Sequence, residues 1–206
     1  MYLITRFHRW QAARKERRIE QLTARAADLN ESQPYDLLLL HERGFVRATG
    51  SGQSITRVHA EVENLIRKKL RVVVAPGTYF VSKGGHQNMA TTSDYAFTLY
   101  PCSTERVDIS AACINADRPI PGKKDKFQGV ARVSDKVARF LAASRGEDPM
   151  VVQAGVWTLT DAYSRDSVIH HLISRDRAGN TSHPITGSHC DRAKSILDKL
   201  GIAHRL

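Results

Sequence analysis

A cysteine and a glutamine, each in apolar surroundings, are the residues of this sequence that first raise the question of chemistry. Cys113 lies in AACINADRPIP, where an apolar stretch typical of a buried strand breaks into a proline-containing loop. Gln153 lies in VVQAGVW, whose apolar residues repeat at helical spacing. The residues allow two interpretations. Cys113 is a small buried hydrophobe while Gln153 bonds to the backbone where sheet and helix join, or the two side chains meet and react.

The same two stretches resemble the reactive segments of bacterial thioester domains. In that family a Cys followed by an apolar residue is linked to a Gln that lies in a helix with apolar neighbours. The resemblance implies that Cys113 supplies the thioester sulfur and Gln153 the acyl group, with Val152, Val156 and Trp157 at the apolar positions. It also implies a related fold and a covalent reaction with a partner amine.

A second group of reactive side chains consists of histidines near the C-terminal end. Imidazole and thiolate are ligands for zinc or copper, but the spacing of the residues in this group matches no known zinc pattern. We therefore predict no metal site and no cofactor, and expect surface histidines near a helix end. A Cys–His nucleophilic pair is the weaker alternative, since a thiol at a helix N-terminus is activated. The group comprises His170, His171, His183, His189 and Cys190.

Basic residues form three separate clusters, RKERR (14–18), RKKLR (67–71) and GKKDK (122–126). Solvated faces are the ordinary explanation of such clusters, but together they could contact the phosphates of a nucleic acid. The loop SKGGHQN (82–88) carries two glycines beside Lys83 and lacks the Walker pattern, so we interpret it as a hairpin tip.

Composition limits the possible partners and compartments. The 206-residue chain has a formal charge of +10 and a pI of about 9.8, which favours attraction to polyanions. Its three cysteines fit reduced thiols, hence the cytoplasm or another reducing compartment. No apolar run is long enough to span a bilayer. Residues 1–15 are basic and contain no acid, so targeting to an organelle is not excluded.

Residues 5–29 are predicted to form a basic amphipathic helix. Ile19, Leu22, Ala26 and Leu29 recur at helical spacing and form a narrow apolar seam. The seam packs the helix on its own domain, on a partner helix or on an anionic surface. We predict that the basic side binds the partner. Its residues are Arg6, Arg9, Arg14, Lys15, Arg17 and Arg18.

The pattern of the central part of the chain predicts short antiparallel strands separated by turns. In 54–65 apolar and polar residues alternate, which is the pattern of a half-buried strand. The run LLLL at 37–40 fits a buried strand or a helix end. Nothing alternates strand with helix, so a parallel βαβ sheet is disfavoured. The expected strands are 44–49, 54–65, 70–75, 78–81, 95–101, 106–112 and 126–133.

After residue 133 the pattern becomes helical, with a capping residue before each expected helix. Ser134, Asp148 (followed by Pro149) and Ser164 are expected to begin three helices. Ser188 with Asp191 fits the cap of a fourth.

These patterns predict an α+β protein with a basic N-terminal helix, an antiparallel sandwich or barrel, and a C-terminal helical cluster. The parts are 1–30, 44–133 and 134–206, with the last packed on the β unit to form one composite domain. We predict a non-enzymatic interaction or assembly module whose N-terminal helix binds an acidic protein or a nucleic acid. The alternatives are a thioester protein that attaches covalently and a dedicated nucleic-acid-binding protein.

Overall fold

The fold is described from a computed structural model that covers residues 2–206, with side chains from His8 onward. It is α+β, as predicted: an N-terminal helix, a closed barrel with a further sheet, and C-terminal helices. The helices are α1 (Tyr2–Arg25), α2 (Leu37–Glu42), α3 (Asp135–Ala143), α4 (Pro149–Thr160), α5 (Arg165–His171) and α6 (Gly187–Lys199). The strands are β1 (Pro34–Asp36), β2 (Val46–Ser54), β3 (Arg57–Asn64), β4 (Leu70–Val74), β5 (Thr78–Ser82), β6 (Asn88–Thr91), β7 (Tyr95–Leu99), β8 (Thr104–Ile114), β9 (Lys126–Arg132), β10 (Ser174–Arg175) and β11 (Thr181–Ser182).

Six strands close into a barrel in the order β2-β3-β8-β6-β5-β9, and every neighbouring pair is antiparallel. The alternation in β3 explains how the strand is placed. Val58, Ala60 and Val62 are fully buried, while His59 and Glu61 on the other face are partly exposed. Because successive side chains of a strand point to opposite faces, the apolar set fills the barrel and the polar set lines its outer wall.

A separate three-stranded sheet contains one parallel pair, formed by a strand, β1, that was not predicted. Its order is β1-β4-β7, and β1 runs parallel to β4. The run 37–40 between β1 and the barrel is helix α2, not a strand. Asp36 decides this locally, because its carboxylate accepts a hydrogen bond from Leu38 N at 2.8 Å and so begins the helix. Strand β6, at the end of the glycine loop, was not predicted either.

Three of the four C-terminal helices begin where the capping residues predict. Asp148 accepts a hydrogen bond from Met150 N at 2.7 Å, and Pro149 takes the first helical position of α4. The predicted Ser188–Asp191 cap is wrong, since Thr186 precedes α6 and its backbone N–H donates to His189 Nδ1 at 3.0 Å. Asp191 pairs with Arg165 of α5 instead. The local sequence pattern assigned Asp191 to the cap of α6, but in the structure this residue forms an ion pair with another helix.

The apolar seam of α1 packs on the protein's own core. Leu22, Ala26 and Leu29 are buried in the same cluster as the barrel residues, and Ile19 is half-buried. The helix ends at Arg25 rather than at residue 29. Within residues 2–206, none of the helices has both the length and the apolar character needed to cross a bilayer.

Candidate functional site

The structure brings Cys113 and Gln153 together, through the backbone of the cysteine. Gln153 Nε2 donates to the Cys113 carbonyl oxygen at 2.8 Å, and the Cys113 N–H donates to Gln153 Oε1 at 2.9 Å. Both residues are buried. The register explains this contact: β3 pairs with β8 as far as Ser110, the Ala111 N–H donates to the Thr56 carbonyl just before β3, and Cys113 lies beyond both. The Gln153 amide, carried by α4, supplies the missing donor and acceptor.

The Cys113 thiol faces away from ionic groups. Its Sγ lies 3.3 Å from Met89 Sδ and 3.8 Å from the carbonyl oxygen of Ile55. Burial raises the pKa of this thiol to about 12, so it stays protonated at neutral pH. Contact between the two residues is therefore established, and a covalent bond between their side chains stays a prediction.

The basic side chains of α1 are exposed. From His8 to Lys15 every side chain is exposed on all sides of the helix, so about 12 Å of α1 is left uncovered by the remaining described chain. Arg14 lies over the Trp10 ring, with Cζ 5.4 Å from the ring centroid. The Arg6 side chain lies outside the described residues. The other predicted residues are exposed and pair with no acid of residues 8–206; they are Arg9, Arg14, Lys15, Arg17 and Arg18.

The second basic cluster, RKKLR (67–71), helps to hold α1 in place, a role that the sequence did not indicate. Arg67 forms an ion pair with Glu16 of α1, and its backbone N–H donates to Thr23 Oγ1 at 3.0 Å. Lys68 Nζ donates to the carbonyl oxygens of Ala27 and Leu29, each at 3.0 Å. These contacts hold the C-terminal half of α1 on the protein, so the two basic residues are not a free phosphate-binding patch.

Two neighbouring cavities, which together we call the basic trough, lie beside α1 and along β2 and β9. The first has a volume of about 720 Å³ and lies against α1, the second has a volume of about 410 Å³, and both are lined by Arg47 and Gln128. Lys15 and Arg18 line the first cavity.

The third basic cluster and the glycine loop meet at the far end of the basic trough. Lys126 of the cluster lines the second cavity together with Lys83 of the loop. The Lys83 N–H donates to the Lys126 carbonyl oxygen at 2.8 Å, which places these two residues side by side. Two basic segments that are separated in the sequence are therefore adjacent on the surface.

The acids that line the basic trough are both neutralised by neighbours. Glu63 pairs with Arg47 across the β2–β3 register, and Glu61 pairs with Arg106 of β8 at 3.0 Å. The cations at the two ends, in contrast, pair with no acid among residues 8–206. The basic trough therefore carries uncompensated positive charge at both of its ends, from Lys15, Arg18, Lys83 and Lys126.

The C-terminal histidines do not assemble into a metal centre. Among the described residues no group of three or more potential ligands occurs. The rings of His170 and His183 lie 5.2 Å apart, while the His171 ring packs edge-on against Trp157 at 4.8 Å. Burial raises the pKa of Cys190, so the activation that its place near a helix N-terminus suggested is not found.

Comparisons with protein-family models, with curated proteins and with solved structures each gave no match. The class of protein is therefore defined by its fold alone, an α+β protein built on a closed six-stranded antiparallel barrel.

Proposed function

We propose that the protein is a non-enzymatic interaction module that binds a polyanionic partner, an acidic protein or a nucleic acid, through the basic side of α1. The observation that carries this proposal is the exposure of Arg9, Arg14 and Arg17 on the outer part of the helix. Side chains kept in water without acidic partners retain their full attraction for an anionic surface.

Charge reversal on the full-length chain tests this proposal. A variant with Arg9→Glu, Arg14→Glu and Arg17→Glu alters the side of α1 away from the basic trough. The matched control carries the same number of reversals at exposed positions elsewhere, so its net charge changes equally. Binding is measured by fluorescence anisotropy with labelled oligothymidylate and with a labelled polyglutamate peptide. The control consists of Lys136→Glu, Arg175→Glu and Arg177→Glu.

We expect the unaltered protein to bind at least one of these probes, and the α1 variant to bind it at least about tenfold more weakly, because three attractive contacts become repulsive. The control variant should stay within about twofold of the unaltered protein, since its charges lie on other elements, α3 and the segment from β10 to β11. An α1 variant that binds as tightly as the control would refute the proposal.

Covalent attachment through a thioester is the second candidate, favoured by the contact between Gln153 and Cys113. Attack of Cys113 Sγ on Gln153 Cδ would form the S–C bond, and the amide nitrogen would leave as ammonia. The Gln153 amide would also have to give up both of its hydrogen bonds to the backbone. Intact mass spectrometry of the native protein tests this, because the bond makes the chain lighter by one ammonia. A native mass equal to the sequence mass would exclude it.

A further inference from the structure

We propose that the basic trough binds the phosphate backbone of a single-stranded nucleic acid, which runs from α1 along β2 and β9. This inference rests on the proposed function, since it identifies the polyanion that α1 binds. The observation behind it is that cations of α1 and of the barrel line two cavities that share Arg47. These cations are Lys15, Arg18, Lys83 and Lys126.

The helix geometry explains why Lys15 and Arg18 face the basic trough. They lie seven and four residues before Leu22, so helical periodicity places them on the same side of α1 as the apolar seam. Lys15 and Arg18 therefore lie on the seam side of α1, one to two turns before Leu22, and line the first cavity together with barrel residues. The remaining described arginines of α1 do not line the basic trough.

The strand geometry sets the distance between the two ends. Arg47 and Ser51 are four residues apart on β2, which is about 14 Å along the strand. Ser51 lies directly opposite Lys126 of β9 in the antiparallel register. The cations are therefore spread along a path longer than one phosphate group, as a chain of phosphates requires and a single small anion does not.

The surroundings favour nucleic acid over an acidic protein. Stable protein interfaces depend on large apolar or aromatic anchors near their centre. The large apolar side chains that line the basic trough are buried or half-buried and so offer little exposed surface to a partner; they are Ile19, Leu22, Val46, Leu65 and Phe127. The large hydrophobic side chains that residues 8–206 expose lie elsewhere; they are Trp10, Leu39, Tyr100, Ile120 and Ile173.

Hydrogen-bonding groups in the basic trough also suit a phosphate backbone. Contacts between cations and phosphates need no apolar anchors, and hydroxyl and amide groups add hydrogen bonds to phosphate and sugar oxygens. Thr49, Ser51 and Gln128 provide these groups along β2 and β9.

The groove favours a single strand over a duplex. A flexible single strand can follow a positively charged groove along its length, whereas a duplex, with a persistence length of about 150 base pairs, is stiff over this distance. Because no exposed aromatic side chain among the described residues lines the basic trough, base stacking contributes little and binding should be insensitive to sequence.

The test removes charge at the end of the basic trough that is remote from α1. The variant Lys83→Gln with Lys126→Gln is compared with Lys123→Gln and Lys124→Gln, which removes the same charge from exposed positions outside the basic trough. Anisotropy with labelled oligothymidylate is recorded over a range of salt concentrations, and is repeated with the duplex formed with oligoadenylate. Melting temperatures confirm that both variants are folded.

With three contacts from Arg9, Arg14 and Arg17 and four from the basic trough, about seven phosphates are neutralised, so we expect log K to fall with log salt with a slope of about −5. The trough variant removes two of these contacts and should reduce the slope to about −3.5. The trough variant should also bind at least about tenfold more weakly, while the control keeps the slope and affinity of the unaltered protein. The duplex should bind more weakly than the single strand.

Three results would overturn the inference. The trough variant could behave like its control, the duplex could bind as tightly as the single strand, or the protein could bind polyglutamate and not oligothymidylate. In the first and third cases the α1 charge reversal decides separately whether the proposed function stands. If α1 reversal weakens binding while the trough variant does not, the helix is the binding element and the basic trough is not.

Discussion

Gln153 acts as a substitute for a strand neighbour. Its amide pairs with both backbone groups of Cys113 at a point where β8 has no strand beside it on that side. A buried backbone group without a partner lowers stability more than an average hydrogen bond adds to it. The presence of a polar side chain inside a buried, apolar helix is thereby explained without any catalytic role.

Gln153→Leu tests this role. The substitution should lower the free energy of unfolding by about 2–4 kcal/mol, because it leaves the N–H and carbonyl of Cys113 unpaired in a buried site. Denaturant unfolding followed by circular dichroism measures the change, with Gln33→Leu at an exposed position as the control. Cys113→Ala keeps the backbone groups and should destabilise less. Equal losses for Gln153→Leu and Gln33→Leu would contradict this account.

Gly155 is required by packing rather than by backbone conformation. A Cβ at this position would overlap the ring of Phe140, which is fully buried between α3 and α4. We expect Gly155→Ala to lower the free energy of unfolding by about 1–3 kcal/mol through overpacking. Gly85→Ala, where a Cβ meets nothing within 4 Å, is the matched control in denaturant unfolding. Adding Phe140→Leu to Gly155→Ala should recover part of the loss, and no recovery would argue against steric overlap as the cause.

Among the elements, α1 is divided into a docked half and an exposed half. The docked half is held by its apolar seam and by Lys68, whose ammonium group bonds to carbonyl oxygens just beyond the helix end. A cation at this place satisfies carbonyls that no helical N–H reaches and interacts favourably with the helix dipole. The exposed half carries the arginines on which the proposed function depends.

Lys68→Ala should therefore loosen the docked half of α1 and leave the barrel unchanged. We expect faster hydrogen exchange of amides in residues 19–29, because opening of this segment no longer breaks the two bonds to Lys68. Exchange in β3 and β8 should stay the same. Lys69→Ala, at the adjacent exposed lysine, is the control. Uniformly faster exchange across the barrel would show that Lys68 stabilises the entire fold instead.

At the scale of the whole molecule, α4 connects the barrel to the other C-terminal helices. It bonds to β8 through Gln153, to the loop before β6 through Trp157 Nε1 and Gln87 Oε1 at 3.3 Å, and packs against α3 and α6. The helix is buried along most of its length. Because exposing α4 would also expose the adjoining barrel surface, the predicted composite domain should unfold as one unit.

Equilibrium unfolding checks this expectation. In a Trp10→Phe variant the fluorescence reports on Trp157 alone, which is fully buried. Its transition should coincide with that of far-ultraviolet circular dichroism, which reports on strands and helices together. Separate midpoints would mean that residues 134–206 unfold independently of the barrel.

Local order along the chain was enough to predict several elements correctly. Alternation along β3, the Asp148–Pro149 start of α4 and the apolar seam of α1 each depend on neighbours within a few residues, and all three are found in the structure. The same local order indicated that the N-terminal helix is basic on its outer side. Periodicity and capping act within one element, so they can be read from the amino-acid order.

Contacts between residues far apart in sequence, in contrast, could be identified only from the tertiary structure. The strands close into a barrel rather than a sandwich, β1 pairs with β4 in parallel, and Asp191 binds Arg165 instead of capping a helix. Three similar basic clusters also have different roles, with Lys68 bound to the carbonyls that follow α1 and Lys126 lining the basic trough. Strand pairing and charge compensation depend on distance in space, and residues far apart in sequence come close only when the fold closes.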